Sequence, residues 1–226
     1  GYLPHGYNLE RDFFGKLLYR YSPTLRLSLS SQVTKNEYQL YSHAWKYLSD
    51  HQSHTVKNTN RLGMTLTHTI NSSLFYTAQV SLFENHVNVL VGNKLPQEYV
   101  RGQTGETVYF YVSGDDAPYS DDRTTTYSGK FDATFQADNY NQFKGGLELK
   151  RHRISVYEES QPWPSGAQYK DTYLRTPIEG AGYLQDKIEY DYLIINLGLR
   201  FDYADPRAFM WADIRRFGSF DANNNW

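Results

Sequence analysis

The sequence predicts an all-β chain: an antiparallel meander of about eight long amphipathic strands, part of a transmembrane β-barrel. Three observations predict it. Apolar and polar residues alternate with period two in one run after another, which gives a strand one apolar and one polar face. Most runs cover ~9–13 residues, against ~5–6 for an average globular strand and ~9–11 for a tilted strand crossing a bilayer. The connections also alternate strictly. Breaks of a few residues fall at 22–24, 71–73, 138–141 and 189–192, and long irregular stretches at 39–58, 92–123, 158–173 and after 204. Short turns on one side and long loops on the other suit a membrane barrel, whereas a sandwich of Greek keys has no reason for the asymmetry.

Residues 1–10, with glycine, proline and histidine, read as loop. From Phe13, Gly15, Leu17, Tyr19 and Tyr21 oppose Lys16 and Arg20, with Leu18 blurring the pattern. Pro23 fixes φ and cannot donate to a ladder, so Ser22-Pro23-Thr24 is a turn. Leu25, Leu27, Leu29 and Val33 then oppose Arg26, Ser28, Ser30, Gln32 and Thr34. After the aperiodic 39–58, Leu62, Met64, Leu66 and Ile70 oppose Arg61, Thr65, Thr67 and Thr69. Past Asn71-Ser72-Ser73, Leu74, Tyr76, Ala78, Val80 and Leu82 oppose Thr77, Gln79 and Ser81. A short apolar run, Val108 to Val112, fits a strand inside the long stretch that follows.

The pattern resumes with Tyr127, Gly129, Phe131, Ala133, Phe135 and Ala137 against Ser128, Lys130, Asp132, Thr134 and Gln136. Phe143, Gly145, Leu147 and Leu149 oppose Lys144, Gly146, Glu148 and Lys150. The strand over 178–188 is ambiguous in facing, because Tyr183 and Leu184 compete for the apolar side. Leu193, Ile195, Leu197, Leu199, Phe201 and Tyr203 then share one face for roughly 33 Å at ~3.3 Å per residue. Asn196, Gly198, Arg200 and Asp202 share the other. After Asp205-Pro206 the chain reads as loop with a short helix near Phe209 to Arg215.

Composition narrows the function classes. No run of ~18 apolar residues exists to form a membrane helix. A mean hydropathy of -0.69 does not exclude a membrane barrel, since half of each strand faces a wet lumen. Aromatics make up 16% of the residues, with 21 Tyr, which suits girdles at two membrane interfaces and equally a sugar-binding surface. Tyr19, Tyr21, Tyr76, Tyr190 and Tyr192 gather by the short turns, and Phe83, Tyr127, Phe201 and Tyr203 by the loops. With no Cys, disulfides, thiolate metal sites and cysteine nucleophiles are out. A net charge of -2 with no basic block argues against nucleic acid as a partner.

In a barrel the apolar stripes meet lipid; in a secreted carbohydrate-binding β-sandwich or small closed barrel they form the core, and periodicity alone fits both. The charges on the polar faces, Arg26, Lys130, Asp132, Lys144, Glu148, Arg200 and Asp202, suit a hydrated lumen. Candidate ligand-binding residues are Trp45, Trp163 and Trp211 in the long loops, with Arg200 and Asp202 on the lumen side. The tryptophans serve equally well to pack the loops together. Asp115, Asp116, Asp121 and Asp122 match no calcium-loop spacing and read as a solvated acidic loop; His51 and His54 lack a third metal ligand. No nucleophile elbow, phosphate-cradling loop or triad spacing is present, so no catalytic residue and no cofactor is indicated.

The run Ala181-Gly182-Tyr183-Leu184-Gln185-Asp186, a tight turn, and the run Leu197-Gly198-Leu199-Arg200-Phe201-Asp202-Tyr203 resemble the strand–turn–strand signature of TonB-dependent outer-membrane receptors. The Asp205-Pro206 step fits the same pattern. No stretch of residues 1–226 reads as a plug domain, an energy-coupling box, a signal peptide or a terminal strand. The resemblance therefore implies that residues 1–226 are an internal segment of one outer-membrane β-barrel domain. It further implies uptake of a bulky nutrient, such as a metal chelate or an oligosaccharide, across the outer membrane of a Gram-negative bacterium. The implied partners are outer-membrane lipid, the nutrient, and the inner-membrane TonB energy-coupling complex acting through the absent plug.

Overall fold

The computed structural model describes residues 6–105, 109–163 and 169–208. The strands are β1 (Tyr7–Arg20), β2 (Leu25–Gln39), β3 (His54–Thr69), β4 (Leu74–Leu90), β5 (Gln103–Thr104), β6 (Tyr111–Ser113), β7 (Tyr119–Gln136), β8 (Asn141–Glu159), β9 (Lys170–Arg175), β10 (Ile178–Tyr190) and β11 (Leu193–Asp205). Eight of them form one antiparallel meander in the order β1-β2-β3-β4-β7-β8-β10-β11. β5 and β6 make a small ribbon within the longest loop. β9 and β10 are one strand with an interruption. Both pair with β8 in a single register, Ile154 with Arg175 and Arg151 with Ile178. Between them the His152 N–H donates to the Pro177 carbonyl at 2.9 Å, and Pro177 has no N–H to return the bond.

Three of the four short turns are pinned by a side-chain oxygen that takes up free backbone donors. Ser22 Oγ accepts from the N–H of Thr24 and Leu25 at 3.2 and 3.0 Å. Asn71 Oδ1 accepts from Ser73 and Leu74, both at 2.9 Å. Asp138 Oδ1 accepts from Tyr140 and Asn141 at 2.7 and 2.8 Å.

Register assigns the faces. Leu17, Leu29, Met64, Val80, Gly129, Leu149, Gly180 and Tyr203 form one row across the whole meander. The neighbouring row, on the opposite face, is Leu18, Ser28, Thr65, Gln79, Lys130, Glu148, Ala181 and Asp202. The ambiguity over 178–188 is resolved by the same pairing. Leu184 stands opposite Gly145 and Leu199 on the apolar face, and Tyr183 opposite Gly146 and Arg200 on the polar one. Phe83, grouped above with the interface aromatics, also lies on the polar face, where the Arg61 guanidinium sits 5.5 Å from its ring centre. In β4 the apolar stripe from Leu74 to Leu82 extends about 26 Å at ~3.3 Å per residue, the length of a tilted spanning segment.

Among the described residues no second layer covers the apolar face. Among the described residues the only buried hydrophobic side chains are Trp45, Val91 and Tyr99, and all three lie in loops. Leu147 is 63% exposed and Leu199 84%. A sandwich would pack these stripes against a second sheet about 10 Å away, so the soluble-sandwich alternative falls. Uncovered apolar rows of this extent fit a lipid solvent.

The strands outrun the sequence pattern at the loop end. The aperiodic 39–58 holds the start of β3 at His54, 92–123 holds the start of β7 at Tyr119, and 158–173 holds the start of β9 at Lys170. The physical reason is that these extensions are polar on both faces: Asn58 and Asn60 lie on the apolar parity of β3, Lys57 and Thr59 on the other. Backbone pairing continues where period two has vanished. The helix expected near Phe209 to Arg215 lies outside the described residues.

The face assignment is testable at two adjacent residues. Leu197→Arg in the full-length protein puts a charge mid-stripe and is expected to cost ~2–4 kcal/mol. Asn196→Arg, on the polar row beside Gln185, is expected to cost little. Equal losses in denaturant titrations of the two would reject the assignment.

Candidate functional site

Two regions carry side-chain chemistry: the loop cap beyond the strand ends and the polar face of the sheet. The cap is built around Asp115, whose carboxylate is 1% exposed. It accepts from the Val100 N–H at 2.9 Å, meets His51 Nδ1 at 2.9 Å and is ion-paired to Lys94. These contacts join the loop after β2 to the loop after β4. Asp116 adds to the join by accepting from the Ser53 N–H at 3.2 Å and hydroxyl at 2.9 Å. Gly114 has φ +84, and a Cβ there would stand 2.4 Å from the Arg101 carbonyl oxygen, so the turn before Asp115 requires glycine.

Burial pushes the Asp115 carboxyl up, but Lys94, the Val100 N–H and His51 outweigh it and hold it below the usual carboxylate range. Tyr99 is buried beneath the same loop, and its hydroxyl accepts from the Val91 N–H at 2.7 Å. Burial pushes that hydroxyl up to about 12, against the lowering effect of the Val91 N–H. Tyr99, Tyr119 and Tyr157 continue edge to face, at 6.2 and 5.8 Å between centroids, and so seat the loop on β7 and β8.

On the polar face, Asp132, Gly146, Tyr183 and Arg200 share a row across β7, β8, β10 and β11. The Tyr183 ring lies across Gly146 and its hydroxyl donates to Asp132 at 2.5 Å. A Cβ on Gly146 would come within 2.4 Å of that ring, so glycine opens the path from one strand to the next but one. Lys130 pairs with Asp132 at 3.2 Å, Lys150 with Glu148 at 3.0 Å and Arg200 with Asp202 at 2.8 Å. The result is a ladder of alternating charge.

The sequence-predicted site residues separate. Trp45 is 4% exposed and stacked on Tyr111 at 4.0 Å, inside the cap. Trp163 is half-buried beside fully buried Pro162, and Trp211 lies outside the described residues. Arg200 and Asp202 stand together, exposed, on the polar face. The four aspartates do not converge. Asp115 and Asp116 anchor the cap, whereas Asp121 and Asp122 point from opposite faces of β7. Sequence reasoning missed Tyr183, because its partner Asp132 is 51 residues away and only register brings them together.

Neither a family model nor a curated protein matches the chain. Solved structures do match. The chain is similar to the outer membrane transporter YddB from Escherichia coli, with a TM-score of 0.63 at 10% identity over 88% of this chain and 27% of that one. It is also similar to the ferric citrate transporter FecA in the unliganded form, with a TM-score of 0.52 at 14% identity over 89% of this chain and 30% of that one. The chain has the fold of an outer-membrane transporter barrel segment. It spans under a third of the length of either structure, 27% and 30%.

Two outcomes are expected. A carboxyl held low in the folded cap gives stability that is fully present above its unfolded pKa near 3.8 and is lost as pH falls through the lower folded value. The cap should therefore stay closed at neutral and mildly acidic pH and open only below that range, read as loss of amide-exchange protection at Val100. Asp115→Asn should lower that protection by ~1.5–3 kcal/mol at neutral pH, with the difference from wild type vanishing where Asp115 is protonated; unchanged exchange at neutral pH would reject the anchor. For the polar face, Gly146→Ala is expected to cost ~1–3 kcal/mol by overpacking. Tyr183→Phe should then cost less in the Gly146→Ala background than alone, and strict additivity in a double-mutant cycle would refute the shared geometry.

Proposed function

We propose that this chain is a barrel segment of a TonB-dependent receptor that takes up a bulky nutrient across the outer membrane of a Gram-negative bacterium. One observation carries the reading: a meander of spanning length has one face uncovered and apolar, and ends in strands β1 and β11 that have no outer partner among the described residues. Unpaired backbone groups in hydrocarbon cost several kcal/mol each, so such edges need further strands of the same barrel. The transporter fold supports the reading, and so does the strand–turn–strand signature over Ala181 to Tyr203.

The protein's chemistry is binding and conformational change, with no bond broken. The nutrient, a metal chelate or an oligosaccharide, meets the folded loop cap and then the charged polar face around Arg200 and Asp202. A plug outside this segment gates the lumen and is driven by the inner-membrane TonB complex. The ferric citrate specificity of one similar structure supports the chelate class of nutrient.

Replacing residues 92–117 by a short Gly-Ser linker in the full-length protein should abolish nutrient uptake by whole cells while the barrel still assembles. Uptake at the original rate would shift recognition to the polar face. Residues 1–226 alone, refolded in detergent, should aggregate. A compact species that changes gel mobility on heating would show a closed small barrel and defeat the segment reading.

A further inference from the structure

The loop-side border of the apolar face is basic, and the charge is not shared by the polar face at the same height. Followed toward the loops, the stripe of β1 is interrupted after Phe13 by Arg11, before Leu9 on the same parity. In β2 it ends at Val33 and Lys35 follows, paired directly with Arg11. In β8 it ends at Leu149, followed by Arg151 and Arg153. In β7 it ends at Tyr127, and Arg123 stands beyond the small Thr125. All five cations are exposed. Among the described residues none has an acidic partner at ion-pair distance.

The opposing charges at this border are Glu37, two residues beyond Lys35 and bonded by the Tyr7 hydroxyl at 3.2 Å, Glu84 after Leu82 in β4, Asp121 paired to His86 at 2.6 Å, and Asp205 paired to Arg207 at 3.6 Å. On the polar face at the same height, Glu10, Asp12 and Asp122 stand among Lys57 and Arg61, so the charge there is mixed. The short turns at the far end hold Asp138 and Asp191 and no cation. A groove of about 630 Å³ opens on the basic side, between Arg123, Arg153 and the overhanging Pro96 and Gln97, with Glu84 and Asp121 in its wall.

We propose that Arg11, Lys35, Arg123, Arg151 and Arg153 form a binding surface for the phosphate groups of membrane lipids in the leaflet on the loop side. Guanidinium groups take phosphate oxygens in pairs, and a cation just past the apolar border lies at headgroup depth with its stem over the acyl boundary. Each such charge near an anionic surface adds to the attraction, within a screening length of ~8–10 Å. In the row Glu84, Thr125, Arg153 the small Thr125 stands between the acid and the arginine, which leaves the Arg153 head open to a headgroup. The proposal rests on the barrel reading, because it needs the apolar face to lie in lipid.

The test uses full-length protein in neutral detergent, with phosphatidic acid as the phosphate-bearing probe and phosphatidylcholine as the neutral reference. Retained lipid is counted by native mass spectrometry. Barrel formation is read separately from the heat-dependent gel shift. Wild type is expected to retain phosphatidic acid over phosphatidylcholine by about tenfold or more. Replacing the five cations by Gln should remove the preference, whereas Arg→Lys at the four arginines should keep most of it. Gln at Lys16, Arg20, Arg26 and Lys144 on the polar face should leave it unchanged. A folded wild type with no preference, or a folded five-Gln variant that keeps it, overturns the proposal while the barrel reading stands. Competition by equimolar inorganic phosphate also overturns it, since the site would then serve a soluble anion. A wild type that forms no heat-modifiable barrel overturns the barrel reading, and this proposal with it.

Discussion

Every peptide group in hydrocarbon must find its partner within the protein, and the rest of this structure depends on that constraint. The antiparallel ladder answers it strand by strand, in one continuous register from β1 to β11. Departures from the ladder are confined to places where water can substitute. Pro177, which withholds a donor, sits above the apolar stripe, near the wet end of β10. The ribbon of β5 and β6 and the cis Ala117-Pro118 bond lie in the cap. Within the stripe the ladder has no break among the described residues.

The two ends of the sheet solve different problems. The turn end needs only to reverse the chain, and Ser22, Asn71 and Asp138 do so by capping free N–H groups locally. At the loop end the strands run on past the stripe. There, packing replaces lipid as the organising force, with buried Asp115, Trp45 and Tyr99 holding the loops after β2 and β4 together. Under the uptake function proposed above, a cap tied down in this way offers the nutrient a fixed surface, so less ordering entropy opposes binding.

On β7, β8 and β11 the polar face combines small residues with charges paired along their own strands, Lys130 with Asp132, Lys150 with Glu148 and Arg200 with Asp202. Tyr183 reaches across Gly146 to Asp132, and Arg200 is held by Asp202. Apart from Tyr183, the side chains of this part of the face are either short or tethered along their own strands, which keeps the surface open. It suits a wide, hydrated interior better than a narrow barrel filled by side chains.

Sequence by itself determined the strand count, the meander and the faces of most strands, because period two is a local property and every residue of the stripe reports it. It also located the short turns, whose Ser, Pro, Asn and Asp residues act within three positions of themselves. Tertiary structure decided the rest. The facing of β10 needed its neighbours, since Tyr183 and Leu184 are equally acceptable to a strand considered alone; Gly146 and Asp132 across the sheet settle which one turns inward. The upper halves of β3 and β7 were invisible because water on both faces erases alternation while backbone pairing persists. Of the candidate binding residues, Arg200 and Asp202 were legible by strand parity, whereas the burial of Trp45 depends on Tyr111, 66 positions further on and brought beside it only by the folded loops. By sequence Asp115 belongs to a solvated acidic loop for the same reason: His51, Lys94 and the Val100 amide surround it only in three dimensions.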